Sequence, residues 1–411
     1  MDINELLITS SVSSESSACL WDYNTLNVRK LFKNGGVLTS KGLEVVGQDY
    51  ILGSELGKPI LHVWPLNSQE CSKNTRLILP EVATCLALCP RNIYFAAGIN
   101  CKVYVWQLTS GKLLSVHQKN YQPVTIIKFS SDGDYLLIAG QDGMLVVYNF
   151  AELVNLSNSF LTQTDIGQVE PIYIKNDHSM PITDLHVGSF GRKSQFATVS
   201  SDQTCRIYNL ADGEALLTLI FNEVLTATVF DAPCWQLFVG NNNGSIHQFS
   251  LKNPPRKLYH HIEGKSSLVF GGPKGKVVCL AINITNTVLA SGSNNNLVCI
   301  WEIKSRQIMK RIEHKGSITN IKFVLGYHNF FSEKLKPCAI LKSLERSINL
   351  SDTKFTLSQM QVCDLNFDDD EKSLEREHSY KNLSKENMKL RCINRQLYNA
   401  ALEISKKYNS V

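Results

Sequence analysis

Residues Val124 to Phe150 read VTIIKFS-SDGD-YLLIAG-QDG-MLVVYNF. Three apolar runs of strand length are separated by two tight turns. Each run alternates or is wholly apolar, as strands buried in a sheet do. Ser131-Asp132-Gly133-Asp134 and Gln141-Asp142-Gly143 carry hairpin-turn chemistry. The third run closes on an aromatic followed by a polar residue, Tyr148-Asn149.

The closing aromatic recurs along the chain. It stands at Trp21, Trp64, Trp106, Tyr148, Tyr208, Phe249 and Trp301, at intervals of 43, 42, 42, 60, 41 and 52 residues. A propeller blade of four strands repeats every ~40–45 residues. Four intervals fit and two carry insertions, near 152–177 and 252–275. Both insertions are polar and hold Pro or Gly, the composition of loops. On a rigid ring they are candidate partner-binding elements.

Trp21-Asp22 is the signature dipeptide of the WD40 family, which the chain resembles. Trp64-Pro65, Trp106-Gln107, Tyr148-Asn149, Tyr208-Asn209 and Trp301-Glu302 are degenerate forms, and Phe249-Ser250 is the most distant. Seven in register imply an all-β fold, a seven-bladed WD40 β-propeller over residues 1–325. The N-terminus supplies strands but no inner one before them. Residues 317–324 (SITNIKFV) follow the last complete blade and fill that place. Closing the last blade from both chain ends removes the open sheet edge. In this family an Asp in the turn before the third strand holds that turn by hydrogen bonds. Asp142 and Asp202 are assigned that structural role. Asn294-Asn295-Asn296 replaces the Asp in the sixth blade, where a thinner network is expected. His117 and His314 stand in the neighbourhood of the family His.

Beyond the ring, residues 326–369 show no repeat and read as an irregular segment lying on the propeller. From Asp370 the composition shifts: residues 370–411 hold 9 Lys/Arg, 6 Asp/Glu and neither Gly nor Pro. That composition predicts a C-terminal helix over 370–408. Leu383, Leu390, Leu397 and Ile404 repeat every seven residues, with Tyr380, Asn387, Asn394 and Ala401 at the partner positions. Leu at d with Asn at a favours a parallel, two-stranded, register-fixed coiled coil, hence a homodimer.

The composition bounds what such a chain does. Of 411 residues 43% are hydrophobic and 19% charged, which gives ample core material and excludes wholesale disorder. The net charge of +5 permits an anionic partner without demanding one. No apolar run reaches membrane-spanning length. The acidic start Met1-Asp2-Ile3-Asn4-Glu5 reads against a secretory signal. Twelve cysteines lie singly with no CxxC, as reduced thiols do in a cytosolic or nuclear protein.

Chemistry-bearing motifs fail on inspection. Gly271-Gly272-Pro273-Lys274-Gly275-Lys276 has the wrong spacing for a phosphate loop, and Val277 stands where Ser or Thr is needed. His260-His261 would point to opposite faces of a strand. Asp368 to Glu371 lacks the alternation and Gly of a calcium loop and suits a helix start. No catalytic, cofactor-binding or metal-ligating set emerges, so the expectation is no enzyme and no cofactor. No run of four basic residues marks a nucleic-acid stripe, although the basic C-terminal segment leaves direct RNA contact open.

Several stretches narrow the resemblance. They are Gly42-Leu43-Glu44-Val45-Val46 leading to Tyr50-Ile51-Leu52 and Leu56-Gly57-Lys58, then Met180-Pro181-Ile182-Thr183-Asp184-Leu185-His186. The last is Leu390-Arg391-Cys392-Ile393-Asn394-Arg395-Gln396-Leu397 in the terminal helix. Together they resemble the WD-repeat protein 18 family, the WD40 subunit of the rixosome. The resemblance implies a non-catalytic scaffold in pre-rRNA spacer processing and late maturation of the large ribosomal subunit. It implies as partners a helical-repeat scaffold, a second helical subunit and pre-large-subunit particles. It also implies a nuclear location, in nucleolus and nucleoplasm, and is compatible with a cytoplasmic pool. The alternative is a WD40 substrate receptor or scaffold of another complex, such as a ubiquitin ligase, although no adaptor-binding module is visible.

Overall fold

The structure is a computed structural model that describes residues 5–347, apart from 14, 73, 74, 76, 155–168, 263–267 and 336. Among the described residues, strands of mostly four to seven residues form seven sheets, antiparallel but for one edge strand, the blades of one propeller. Blade 1 runs from Leu38–Val46 to Leu77–Ile78, and blade 2 from Ala83–Leu88 to Leu113–His117. Blade 3 starts at Val124–Phe129, blade 4 at Ile182–Val187, blade 5 at Leu225–Phe230 and blade 6 at Val277–Ile282. Blade 7 joins Ile318–Leu325 to Glu5–Ser11, Ala18–Trp21 and Val28–Phe32. Its closing register sets Leu6 opposite Val324 and Thr9 opposite Ile321.

Burial follows the strand pattern. The inner and second strands are apolar on both sides because each lies between two neighbouring blades, as in Leu136, Leu137, Ile138 and Ala139. Trp64, Trp106, Tyr148, Tyr208 and Trp301 are fully buried between blades, whereas Trp21 and Phe249 are half-buried. The described cysteines are free thiols, most of them buried. No helix among the described residues is long and apolar enough to cross a membrane.

Adjacent blades are stitched near the channel. Thr84, Thr125, Thr183 and Thr226 each sit at a bulge in an inner strand. Every one of these hydroxyls lies beside a carbonyl of its own blade and a closer one of the next. The second distances are 2.7 Å to Val124 O, 2.7 Å to Ile182 O, 2.9 Å to Leu225 O and 2.5 Å to Val277 O. A bulge leaves one residue outside the ladder, and threonine turns that residue into a link between blades.

Both insertions differ from the loops expected of them. The first holds Tyr173–Lys175, which pairs with Leu145–Asn149 as the outer strand of blade 3. Within the second, Leu268–Phe270 is the outer strand of blade 5. Tyr259–His261 adds a fifth strand to blade 4, parallel to Ala215–Ile220. Their polarity suits edge strands, whose outer face meets water, and so mimics a loop.

Residues 326–347 follow the ring wall as a strap. Phe330 is buried with Trp64 and Leu66, and Leu344 with Leu108 and Leu113. Asp49 accepts the amides of Cys338 and Ala339 at 2.8 and 2.7 Å. The Trp106 indole donates to the Glu345 carbonyl at 2.8 Å. Gly111, at φ +74°, lies directly under the strap: a Cβ there would meet Ser343 O at 2.0 Å. The predicted C-terminal helix and its seam, Tyr380 to Ile404, lie outside the described residues, as does Asp368 to Glu371.

Candidate functional site

The repeat positions form hydrogen-bonded blade joints of graded completeness. Blade 4 has the fullest joint. His178 Nδ1 donates to Asp202 Oδ2 at 2.9 Å, and its Nε2 accepts from Thr198 Oγ1 at 2.8 Å. Asp202 also accepts from Thr204 Oγ1 at 2.6 Å and from the Thr204 amide at 2.9 Å. Burial alone would raise the Asp202 carboxyl, but the hydrogen bonds from His178 and Thr204 outweigh it and hold the group well below the usual range. Tyr208 bonds Asp177 at 2.9 Å instead of reaching Thr198.

Elsewhere the joint is partial. In blade 7 the Trp21 indole donates to Thr9 Oγ1 at 2.8 Å, and His314 Nε2 lies 3.2 Å from the same hydroxyl. The acid of that turn, Glu15, pairs with Lys315 instead. Among the described residues, blade 6 keeps of this joint only the Trp301 bond to Ser291 Oγ, 2.8 Å. Blade 3 has Asp142 but no imidazole: it accepts from the Tyr121 amide at 2.9 Å and from Asn120 Nδ2 at 3.2 Å.

These joints correct the assignment of His117. The partner position lies four residues before each inner strand: His178 before Ile182, His314 before Ile318 and Asn120 before Val124. His117 instead ends the outer strand of blade 2, with its ring 5.5 Å from that of Tyr148. Its Nε2 is buried with no hydrogen-bond partner among the described residues, and burial, helped by Lys119, pushes its pKa down to about 4.

The inner strands enclose a cavity of about 260 Å³ lined by Lys41, Glu44, Lys128, Asp184, His186 and Lys322. Lys41 Nζ lies 3.1 Å from Asp184 Oδ1 and bonds the Thr183 carbonyl, spanning the channel from blade 1 to blade 4. Lys322 pairs with Glu44 between blades 7 and 1. Asp184 also accepts the Thr228 amide at 2.8 Å. Burial, then the charge of Lys128, pushes His186 down to about 4, so the imidazole is neutral at pH 7. Its Nδ1 accepts the Phe230 amide at 3.3 Å. Channel carboxylates are therefore engaged as cross-braces between strands. No group of three His, Cys, Asp or Glu side chains forms a metal cage among the described residues. Lys274, Gly275 and Lys276 belong to the connection into blade 6, and His260 and His261 lie on the fifth strand of blade 4.

The WD domain, G-beta repeat family matches residues 110–149 and 264–302, which contain Tyr148 and Trp301. The chain is 32% identical over 321 residues to WD repeat-containing protein 18 of Danio rerio, covering 77% of this chain and 72% of that protein. It belongs to the WD repeat-containing protein 18 family. It is 28% identical over 332 residues to the Homo sapiens protein of that name, covering 80% of this chain and 74% of that one. Identity to the Yarrowia lipolytica Pre-rRNA-processing protein IPI3 is 26% over 360 residues, covering 83% of this chain and 80% of that protein.

Proposed function

We propose that this chain is a non-catalytic scaffold subunit in pre-rRNA processing and ribosome biogenesis. The observation that carries the reading is the extent of similarity to a protein named for pre-rRNA processing, 83% of this chain. The closed ring supports it. Stitched blades and a cross-braced channel make a rigid body whose loops and edges hold partners at fixed separations. Both channel carboxylates are held in ion pairs, Asp184 with Lys41 and Glu44 with Lys322, the arrangement of a brace. Within this proposal the complex is of the rixosome type, with a helical-repeat scaffold and a second helical subunit as partners. It works in the nucleus on large-subunit precursors. A homodimer through the seam Tyr380, Leu383, Asn387, Leu390, Asn394, Leu397, Ala401 and Ile404 would double the partner surfaces and raise avidity. The test is gradient sedimentation of the tagged protein, with mass spectrometry of what co-purifies. Co-sedimentation with large-subunit precursors, and not with mature ribosomes, is expected. A free pool bound to ubiquitin-ligase components would overturn the reading.

A further inference from the structure

Strand direction places two sets of turns on one face of the ring: those joining first to second strands and those joining third to fourth. Across blades 4, 5 and 6 this face carries six exposed cations, Arg192, Lys193, Lys252, Arg256, Lys257 and Lys304. Among the described residues none of the six has a carboxylate within ion-pair distance. The carboxylates of the same turns are Asp212, Glu214, Glu302 and Asp231, and Asp231 is buried. Between the cations stand two exposed rings, Phe190 at 58% and Trp235 at 52% of full accessibility.

The turns form one continuous surface. Gly188 leaves room for the Cys234 sulfur, which a Cβ would meet at 2.4 Å, so the Phe190 turn abuts the Trp235 turn. The Ala232 amide donates to Asn286 Oδ1 at 2.9 Å, joining blade 5 to blade 6. The Ile303 amide donates to Thr287 O at 3.0 Å, which brings up the Lys304 turn. Lys252 Nζ sits 4.4 Å from the centre of the Trp235 ring. From there residues 253–257 return to blade 4, where Leu258 O accepts the Thr218 amide at 2.7 Å.

We propose that this face binds single-stranded RNA, with Trp235 and Phe190 stacking on bases and the surrounding Lys and Arg contacting phosphates. Cations and rings together also serve the interface of an acidic protein, the occupant that polyglutamate competition tests. A single strand needs both, because its bases are unstacked and its backbone is charged. Lys252 beside the Trp235 indole offers a charge and a ring at one spot, the pair that a nucleotide's phosphate and base match. None of this appears as a basic run in the sequence, because the six cations come from three separate blades. The proposal rests on the pre-rRNA reading for its choice of RNA. Its failure would leave that reading standing, because a scaffold also reaches RNA through bound proteins.

The test uses the purified full chain and a fluorescent 12-nucleotide RNA of mixed sequence, titrated by anisotropy at several salt concentrations. Trp235→Ala is expected to weaken binding about tenfold, the loss of one stacked base. Trp235→Phe should retain affinity within about threefold, since a phenyl ring also stacks. RNA should quench the tryptophan fluorescence of the parent and not of Trp235→Phe, because Trp64, Trp106 and Trp301 are buried and half-buried Trp21 lies in blade 7 with its indole bonded to Thr9. The pair Arg256→Gln and Lys257→Gln should flatten the slope of log affinity against log salt by about 1.4. All these side chains are exposed, so the ring stays folded. Unchanged affinity and salt slope in the variants would overturn the proposal, as would polyglutamate displacing RNA as well as unlabelled RNA does.

Discussion

Replacing Asp202 by Ala removes the acceptor at the centre of the fullest blade joint. Four donors lose their partner: His178 Nδ1, Thr204 Oγ1, and the amides of Thr204 and Ser179. The imidazole cannot turn to water, because the His178 side chain is 2% exposed. A hydrogen bond to a charged group contributes about 1.5–3 kcal/mol, and an orphaned buried donor costs a further ~1–3 kcal/mol. Solvent reaches the turn amides and offsets part of this, leaving an expected loss of ~3 kcal/mol. With ~2 cal/mol/K per residue over a ring of roughly 340 residues, Tm falls by ~4 °C. Asp142→Ala is the internal control. Its donors are the Tyr121 and Met144 amides and Asn120 Nδ2, in a turn with no imidazole. Water replaces the carboxylate there at a cost of ~1 kcal/mol. Scanning calorimetry of both variants and of Thr198→Val gives the comparison. Because Thr198 and Asp202 share His178, their double variant should lose at least ~0.5 kcal/mol less than the sum of the singles. Equal losses for Asp142→Ala and Asp202→Ala, or strict additivity with Thr198→Val, would refute the joint.

Deleting residues 1–24 removes Glu5–Ser11 and Ala18–Trp21, the middle of the closing blade, and should abolish cooperative thermal unfolding. Stability should fall as pH drops from about 6.5 to 4, because desolvation pushes the pKa values of His117, His186 and His314 down to about 4. The unfolded chain takes up protons in that window and the folded ring does not, so unfolding gains with acid; His117→Phe should flatten a Tm profile over it. Gly111→Ala should lift the strap without opening the ring, seen as faster proteolysis within 326–347 at nearly constant Tm. If the proposed seam joins two copies, Leu390→Asp with Leu397→Asp should leave monomers by light scattering where the parent gives dimers, since unpaired charges in an apolar seam cost several kcal/mol; a parent already monomeric at micromolar concentration would refute the seam.

The ring was legible because its period is carried by large aromatics that fill the space between blades. Closure was legible because the N-terminal blade lacked a strand that SITNIKFV could supply. The blade joints were less so. His178 was missed because its partners, Thr198 and Asp202, lie on another strand and turn, and one His in Asn176-Asp177-His178-Ser179 carries no local mark. Counting four residues back from each inner strand would have found it and excluded His117. The bulge threonines had a visible signal, one apolar residue followed by Thr in ATCL, VTII, ITDL and LTAT. The outer strands in the insertions had almost none. Tyr173–Lys175 and Leu268–Phe270 are three residues each, too short for a period of two to emerge.

If this chain acts as the proposed scaffold in pre-rRNA processing, its loss disturbs that processing. Northern analysis of pre-rRNA after acute depletion of the protein tests it most directly. Spacer-containing large-subunit precursors should accumulate, because the processing enzymes lose their fixed placement on the particle. Normal spacer processing, with a set of ubiquitin-ligase substrates stabilised instead, would contradict the account.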